Sequence, residues 1–457
     1  MQQFKHALKI DHDTCIGCAH CIRVCPTEAL RVNNGKAILH PDKCVDCGEC
    51  YRVCPVSAIK VEHDDFSRIF DYPHRILLIP AVFLGQFSHK FSVKRIMHSL
   101  RTLGFTEIFE IEKSIEPIKD NFNFNVHDEN AEKPVISTFC PAIIRLIQVS
   151  FPGLVFNIAQ YKAPLDLAAH YVKKELMEQG TPENDIGIFY VTPCAAKIAA
   201  VKSPVGEEKS IISGVINMDF LYNKVRKEIS DNPQSMDTDS REVSYTGQGL
   251  KWSLTNGEAS HIKGKSLAID AMPNVIDFLE KVENEEIKGV DFLELRACDQ
   301  GCAGGILTSG NRFLTVENLC NKAVNNYLTP PDLKNKINAF REFIEQGMHL
   351  DNVMPRPIHK LDEDFEIAMK KMEKIRKYMC FLPGIDCGTC GAPSCRALAE
   401  DIVRGQANIS DYIFIQRCMV KSKLLSQDTA LKIMEKIWGK NRFEKDCNKK
   451  GAENENI

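Results

Sequence analysis

The sequence has almost no excess charge and no long run of apolar residues. Its 58 Lys and Arg residues against 61 Asp and Glu residues give a formal net charge of −3, so no general affinity for nucleic acid is expected. The longest apolar stretch, Ile76 to Leu84, is predicted to be a buried strand, and it contains a proline and is too short to span a bilayer. The opening residues, MQQFKHALKI, lack the apolar core of a signal peptide. These absences predict a cytoplasmic protein without a membrane span.

Cysteine, by contrast, is abundant. The chain has 457 residues, which is enough for two or three domains with a large core, and 19 of them are cysteines. Disulfides are rare in reducing intracellular compartments. Clustered cysteine in such a chain therefore predicts bound metal rather than a disulfide framework.

The first seventy residues contain one cysteine spacing twice. Each copy reads Cys-x2-Cys-x2-Cys-x3-Cys-Pro, the run of bacterial ferredoxins with two 4Fe–4S clusters, in which the fourth cysteine of each run binds the other cluster. Soft thiolates suit iron–sulfur clusters, and a pair of zinc sites is the alternative. We predict a two-cluster ferredoxin domain over residues 1–70 that transfers electrons and has no substrate pocket. Its predicted ligands are Cys15, Cys18, Cys21 and Cys54 for the first cluster, and Cys44, Cys47, Cys50 and Cys25 for the second.

Strand and helix patterns alternate from Arg75 onward, which predicts a parallel α/β sheet with helices on both faces. Three predicted strands are each followed by a thiol, at Cys140, Cys194 and Cys298, and Cys302 lies in the glycine-rich loop after the last of them. Ligands bind at the carboxyl ends of the strands in such sheets. We therefore predict that these strands bring the four cysteines to one rim of a sheet, around a single metal centre. Four unrelated buried cysteines are the alternative.

Three motifs around these cysteines resemble those of the iron-only (FeFe) hydrogenases. Residues 137–141 read STFCP where the family has Thr-Ser-Cys-Cys-Pro, and residues 192–197 read TPCAAK where it has Met-Pro-Cys-x2-Lys. Residues 294–302 read ELRACDQGC where the family has Glu-x-Met-Ala-Cys-x3-Cys. With the ferredoxin domain, the resemblance covers about residues 1–345 and implies an H-cluster domain over residues 75–345.

The resemblance implies a specific cofactor, the H-cluster, in which a 4Fe–4S cubane is joined to a two-iron subcluster with carbonyl, cyanide and a dithiolate amine. Cys140, Cys194, Cys298 and Cys302 would hold the cubane, and Cys302 would also bridge to the two irons. Lys197 would donate to a cyanide ligand, for which an ammonium is well suited. Cys302 and Lys197 are thus the predicted catalytic residues, and an ordinary surface lysine is the alternative for Lys197.

Several departures from the family pattern bear on proton transfer. Phe139 occupies the position of the family's proton-shuttling thiol, and Ala159 that of its relay serine. Thr192 and Arg296 replace two methionines, and Ala200 replaces a glutamate. A relay needs titratable or hydroxylic groups within hydrogen-bond reach of one another. These departures predict slow turnover with hydrogen binding retained, a combination that resembles the sensory or regulatory branch of the family.

A second cysteine-rich module is predicted over residues 379–420. Its spacing, Cys-x2-Cys-x4-Cys, resembles the small four-cysteine 4Fe–4S domain at the end of sensory-type hydrogenases, and a zinc site is the alternative. The family's fourth cysteine falls here on Tyr412, so Cys380, Cys418 or no residue completes the set. The three cysteines of the motif are Cys387, Cys390 and Cys395.

The sequence thus predicts an α/β and α+β multidomain protein with a ferredoxin-like N-terminal module, an α/β hydrogenase domain and a small α-helical iron–sulfur module. Residues 346–378 are expected to form a helical linker, and residues 421–457 a charged helical tail. The implied partners are hydrogen and protons, a ferredoxin-like or signalling redox protein, and the hydrogenase maturation enzymes. An electron-transfer or redox-sensing protein without the two-iron subcluster, or a cluster-assembly scaffold, remains the alternative function.

Overall fold

A computed structural model describes most of the chain. The chain folds as two compact units: a smaller one of residues 8–44, 49–60 and 357–457, and a larger one of residues 1–7, 45–48 and 61–356. The described residues are 4–88, 90–115, 123, 126–127, 131–206, 208–233, 249–325, 341–343, 349–351, 353–356 and 361–443.

The smaller unit begins with short strands that frame the two cysteine runs. The strands are β1 (Leu8–Ile10), β2 (Leu30–Asn33), β3 (Lys36–Leu39) and β4 (Ile59–Val61). Strands β2 and β3 form an antiparallel hairpin, and β1 pairs with β4. Each cysteine run leads into a short helix, His20–Val24 in the first and Glu49–Arg52 in the second.

The C-terminal part of the smaller unit is helical, and the first three of its described helices share one apolar core. We name this the C-terminal core; it includes Leu382, Leu398 and Tyr412. An ion pair ties it to the β2–β3 hairpin, because the Arg31 guanidinium contacts both carboxylate oxygens of Asp401, at 2.6 and 3.2 Å. The helices are Phe365–Met379, Cys395–Val403, Ile413–Lys421 and Gln427–Trp438.

The larger unit is built on two parallel sheets. Its strands are β5 (His74–Ile79), β6 (Glu107–Glu110), β7 (Val135–Ile136), β8 (Ile186–Thr192), β9 (Gly214–Asn217), β10 (Ser266–Ile269) and β11 (Phe292–Leu295). One sheet has the order β6-β5-β8-β9 and the other the order β10-β11-β7, and every pairing is parallel. All seven residues of β8 are buried, as expected for a parallel strand covered on both faces.

Helices connect and cover these strands. The helix Pro141–Ser150 buries eight of its ten residues, and its apolar side chains pack in the same core as Leu293 and Leu295 of β11. Proline at its first position fits a helix start, since that residue has no intrahelical N–H bond to lose. The other helices are Ala81–Gly85, Val93–Thr102, Pro164–Glu178, Ala195–Lys202, Met218–Asp231, Met272–Glu283 and Arg312–Asn325.

The predicted mixed α/β fold class is confirmed, but two local predictions are wrong. The apolar stretch from Ile76 to Leu84 is not one strand, because β5 ends at Ile79 and a helix begins after Pro80. Proline has no N–H for a sheet hydrogen bond, which accounts for the change. The metal-site strands also do not share one sheet, since β8 lies in the four-stranded sheet and β7 and β11 in the three-stranded sheet.

Two further expectations concern the tail and the membrane. The tail contains the helix Gln427–Trp438, and its predicted fading beyond residue 443 lies outside the described residues. Among the described parts of the chain, no helix combines the length and apolarity that a bilayer crossing requires.

Candidate metal centre

Four of the predicted metal ligands lie around one small cavity in the larger unit. Cys140 caps the helix that follows β7, and Cys194 caps the helix Ala195–Lys202 that follows β8. Cys298 follows β11, and Cys302 lies in the 3-10 turn Gly301–Gly304. All four line a cavity of about 30 Å³. The structure therefore brings these cysteines together, between the carboxyl ends of two sheets rather than along one rim.

Close backbone packing holds the loop after β11 against the loop after β8. The amide of Cys302 donates to Ser253 O at 2.9 Å, and the amide of Leu307 donates to Pro193 O at 2.9 Å. Gly305 has to be glycine here, because a Cβ would lie 2.5 Å from Pro193 O. The absence of a side chain thus permits the approach of Cys302 to Cys194.

A second, larger cavity adjoins the first. It has a volume of about 100 Å³ and is lined by Phe139, Lys197, Cys302, Glu112 and other residues. Phe139, Lys197 and Cys302 also line the smaller cavity. A thiol shared by both cavities is suited to bridge a cluster in one and a metal group in the other.

Buried charges surround the cysteines. Burial raises the pKa of the Cys194 thiol to about 12, an effect that the Lys197 ammonium opposes and that Cys302 and Cys140 reinforce. Burial alone would lower the pKa of Lys197, but the charges of Cys302 and neighbouring acidic groups outweigh it and raise that pKa. Lys197 is therefore a buried cation rather than a surface lysine, with its Nζ 4.2 Å from the centroid of the Phe139 ring. Metal binding needs thiolates, and this cation favours them.

Glu112 is a buried acid that the sequence reading did not single out. Its Oε1 accepts a hydrogen bond from the Ala81 amide at 2.7 Å, whereas Oε2 has no hydrogen-bond partner among the described residues. Burial raises the pKa of Glu112 to about 7, although the nearby Lys197 ammonium acts in the opposite direction. No local sequence pattern marks this residue, because its burial depends on contacts distant in the chain.

Arg296 is the second unexpected charge. It is 2% exposed and contacts two buried carboxylates, Glu294 through Nε at 3.0 Å and Glu258 through Nη2 at 3.3 Å. Its Cζ lies 4.0 Å from the centroid of the Phe139 ring, and its Nη1 has no partner within the described part of the chain. Burial raises the pKa of Glu258 to about 7, and Arg296 opposes that rise. Arg296 also lines the cavity of the four cysteines.

The ferredoxin-run cysteines of the smaller unit form two groups. The pKa of Cys21 is raised to about 12 by burial and by the charges of Cys18, Cys15 and Cys54. That of Cys50 is raised well above its usual value by burial and by the charges of Cys44, Cys25 and Cys21. Cys44 and Cys25 belong to the ligand set predicted for Cys50, whereas Cys21 belongs to the other set, so the division into two sets stays a prediction. None of the 18 cysteines in the described ranges is in a disulfide.

Cys47 lies in the larger unit and lines the cavity of the four cysteines. A buried ion pair anchors the adjacent residue, Asp46, whose Oδ2 lies 3.1 Å from Nη1 of Arg145 and 2.8 Å from Nδ1 of His6. The amide of Ala7 donates to the other carboxylate oxygen at 3.1 Å. These contacts thus anchor the segment of the larger unit that carries Cys47.

The C-terminal cysteines also lie close together. The pKa of Cys390 is raised to about 11 by burial, and the charges of Cys387 and Cys395 add to that rise. Tyr412 is 3% exposed and packs in the C-terminal core with Cys395. The predicted substitutes for a fourth cysteine, Cys380 and Cys418, are both exposed.

Comparison with known proteins agrees with this division of the chain. Residues 76–263 match the family of the iron-only hydrogenase large subunit, C-terminal domain, and residues 5–64 match the 4Fe-4S dicluster domain. These two matches support an FeFe-hydrogenase-family protein. Residues 382–411 match a putative Fe-S cluster family, so iron–sulfur binding is supported at the C-terminal end of the described chain as well.

Individual proteins that the chain resembles are distant in sequence or match only a short stretch of it. Ferredoxin-2 of Desulfomicrobium norvegicum is 46% identical over 33 residues, which are 7% of this chain and 56% of that protein. The chain thus matches little more than half the length of this curated relative. A variant of FeFe-hydrogenase HydA1 from Chlamydomonas reinhardtii is 17% identical, with a TM-score of 0.47 over 64% of this chain and 98% of that one. A HydA structure that concerns stepwise H-cluster assembly is 17% identical, with a TM-score of 0.45 over 63% of this chain and 96% of that one.

Proposed function

We propose that this chain binds hydrogen and slowly splits or forms it, passes electrons through 4Fe–4S clusters, and serves in hydrogen sensing or regulation. The observation that carries the proposal is the pair of adjoining cavities that share Cys302. The smaller cavity is lined by four cysteines and suits a cubane. The larger cavity is lined by a buried ammonium, Lys197, and has the volume for a further small metal group.

The residues present fit an H-cluster. Cys140, Cys194 and Cys298 would supply thiolates to the cubane, and Cys302 would supply one to the cubane and to the two-iron subcluster. When bound, the two-iron subcluster supplies the metal and the amine base on which hydrogen is split. Lys197 would hold an anionic ligand of that subcluster, since its charge is buried and faces the same cavity.

Slow turnover follows from the groups around the larger cavity. Phe139 cannot carry a proton, and its ring lies between the cations of Lys197 and Arg296. General acid–base groups contribute about 10²- to 10⁴-fold to enzymatic rates, so the loss of a relay thiol costs a rate factor of that order. A sensor needs hydrogen binding and a redox change but no high flux, which is why we favour the sensory branch.

Electron transfer would run between the cubane and the ferredoxin clusters. Cys47 supports this route because it lines the cubane cavity and is also a predicted ligand of the second ferredoxin cluster. A ferredoxin-like or signalling protein would exchange electrons with the chain. The match to a bacterial ferredoxin supports this class of partner.

Infrared spectroscopy tests the proposal. The chain is matured anaerobically and its spectrum is recorded under hydrogen and under argon. We expect carbonyl and cyanide bands that shift between the two gases, with hydrogen evolution well below that of a prototypical enzyme. Cys302→Ser is expected to abolish the bands, because it removes the shared thiolate. Lys202→Met, in the last turn of the helix Ala195–Lys202, is the matched control for Lys197→Met.

Two results would contradict the proposal. A matured chain without carbonyl and cyanide bands, but with reducible 4Fe–4S clusters, would be an electron-transfer or redox-sensing protein. Hydrogen evolution as fast as that of a prototypical member would contradict the sensory assignment while leaving the hydrogenase chemistry intact.

A further inference from the structure

The C-terminal cysteine site offers three thiols, and a cubane has four irons to coordinate. Cys395 is buried at the start of the helix Cys395–Val403, and its amide donates to Asp386 Oδ1 at 2.7 Å. Thr389 donates its hydroxyl to Cys387 Sγ at 3.3 Å, and Cys390 packs against the C-terminal core. Thr389 is therefore a donor to a ligand rather than a ligand itself.

Neither remaining cysteine of the described C-terminal region occupies this site. Cys380 is exposed and its thiol lies 3.4 Å from Arg376 O within its own helix. Cys418 is exposed on the helix Ile413–Lys421. Of the described residues, neither of these two is part of the C-terminal core or packs against it.

Tyr412 is the side chain that the fold does direct into this region. It is 3% exposed and packs in one core with Cys395 and Leu398. The turn before it is fixed by a capping box between Asn408 and Asp411. Tyr412 is thus the oxygen-bearing side chain of the C-terminal core that packs in the same cluster as a cysteine of the site.

We propose that the C-terminal site is a 4Fe–4S cluster held by Cys387, Cys390 and Cys395 and by the phenolate oxygen of Tyr412. The inference rests on the iron–sulfur part of the proposed function and is independent of hydrogen chemistry. On binding, an Fe–O bond replaces the O–H bond of Tyr412, the proton passes to solvent, and no electron is transferred. The positive charge of the bound iron stabilises the phenolate, which the negative thiolates alone would destabilise.

An oxygen ligand gives this cluster properties that distinguish it from the others in the chain. Phenolate is a harder ligand than thiolate, and hard ligands bind iron–sulfur clusters less favourably than soft ones. The iron bound to Tyr412 is therefore the one expected to leave first on oxidation. Such a site is suited to respond to redox conditions.

Resonance Raman spectroscopy of the full chain, reconstituted anaerobically with iron and sulfide, tests the ligand directly. Iron-bound phenolate gives enhanced ring vibrations, which shift when tyrosine is ring-deuterated and do not overlap Fe–S modes. We expect these bands in the wild type, their loss in Tyr412→Phe, and their retention in Tyr378→Phe, since Tyr378 packs against the same core. Absence of the bands in the wild type, or their survival in Tyr412→Phe, would overturn the proposal.

A second measurement keeps the proposal testable if Tyr412→Phe folds poorly. Electron paramagnetic resonance, recorded before and after mild oxidation, detects a 3Fe–4S cluster, which forms when an iron without a protein ligand is lost. Before oxidation we expect about one such cluster per chain in Tyr412→Phe and none in the wild type. After oxidation we expect one in the wild type and none at this site in Tyr412→Cys. Asp386→Asn tests the nearest competitor, a carboxylate on an exposed residue. A 3Fe–4S signal created by Asp386→Asn but not by Tyr412→Phe would assign the ligand to Asp386 and refute the phenolate. Neither readout depends on carbonyl and cyanide bands, so failure here is distinct from failure of the hydrogenase proposal.

Discussion

Replacing Arg296 by methionine, the residue of the hydrogenase motif, should destabilise the larger unit despite being a change toward the family pattern. Arg296 is 2% exposed and neutralises Glu294 and Glu258, which are 0% and 2% exposed. Removing one partner of a buried ion pair costs about 3–5 kcal/mol, because the remaining charge is left without compensation. For a unit of this size that corresponds to a fall in melting temperature of roughly 10 °C.

The loss should depend on pH in a defined direction. Glu258 has a pKa of about 7 in the folded protein, above its ordinary value of 4.5, and Arg296 holds it down. Without Arg296 that pKa rises further, so the carboxyl becomes neutral as the pH falls. The cost of its charge is present at high pH and is lost as the pH decreases. The destabilisation should therefore be larger at pH 8 than at pH 6.

Circular dichroism melting of anaerobic protein at both pH values measures this effect. Arg68→Met is the matched control, because Arg68 pairs with Asp64 at the surface of the same unit, at 3.2 Å and with 44% of its side chain exposed. Its loss is expected to cost no more than about 1 kcal/mol. The reasoning is refuted if Arg296→Met melts within about 2 °C of Arg68→Met at pH 8.

Three further predictions concern other sites. Phe139→Cys restores a titratable thiol beside the larger cavity and should raise hydrogen evolution of matured protein at least about tenfold; an unchanged rate would mean that Phe139 does not limit proton transfer. Glu112→Gln should gain up to about 3 kcal/mol of stability relative to the wild type as the pH rises from 5 to 8. The reason is that wild-type Glu112, with a pKa of about 7, ionises in a buried site over that range. Parallel melting profiles of the two proteins across this pH range would exclude the effect. Asp401→Asn removes the carboxylate partner of the nearly buried Arg31 guanidinium and should lower the unfolding free energy by about 3 kcal/mol. The control Glu400→Gln should cost less than about 1 kcal/mol. Equal effects of the two variants in urea unfolding would contradict the reasoning.

Much of the fold was predictable because its signals are local. Alternating apolar and amphipathic segments from Arg75 onward indicate parallel strands and helices, and the larger unit has both. The repeated ferredoxin spacing can be recognised without tertiary information, because three cysteines of each run bind one cluster and the fourth binds the other. The position of Cys140 at a helix start likewise follows from Pro141, the residue after it.

The remainder depends on contacts that the sequence does not encode locally. The separation of β8 from β7 and β11 is a matter of which strands pair, and their apolar patterns are alike. The burial of Glu112 and the pairing of Arg296 with Glu258 join residues far apart in the chain. Arg296 was visible only as a departure from a motif, and its two carboxylate partners explain how a cation is tolerated there.

The separation of the four cysteines between two sheets has a mechanical consequence. Cys194 extends from the four-stranded sheet, whereas Cys140 and Cys298 extend from the three-stranded sheet. Iron bound to all of them would fasten the two layers to each other, as a covalent cross-link does. Filling the site with iron would then make the domain stiffer, so a protease would cleave the filled protein more slowly than the empty protein.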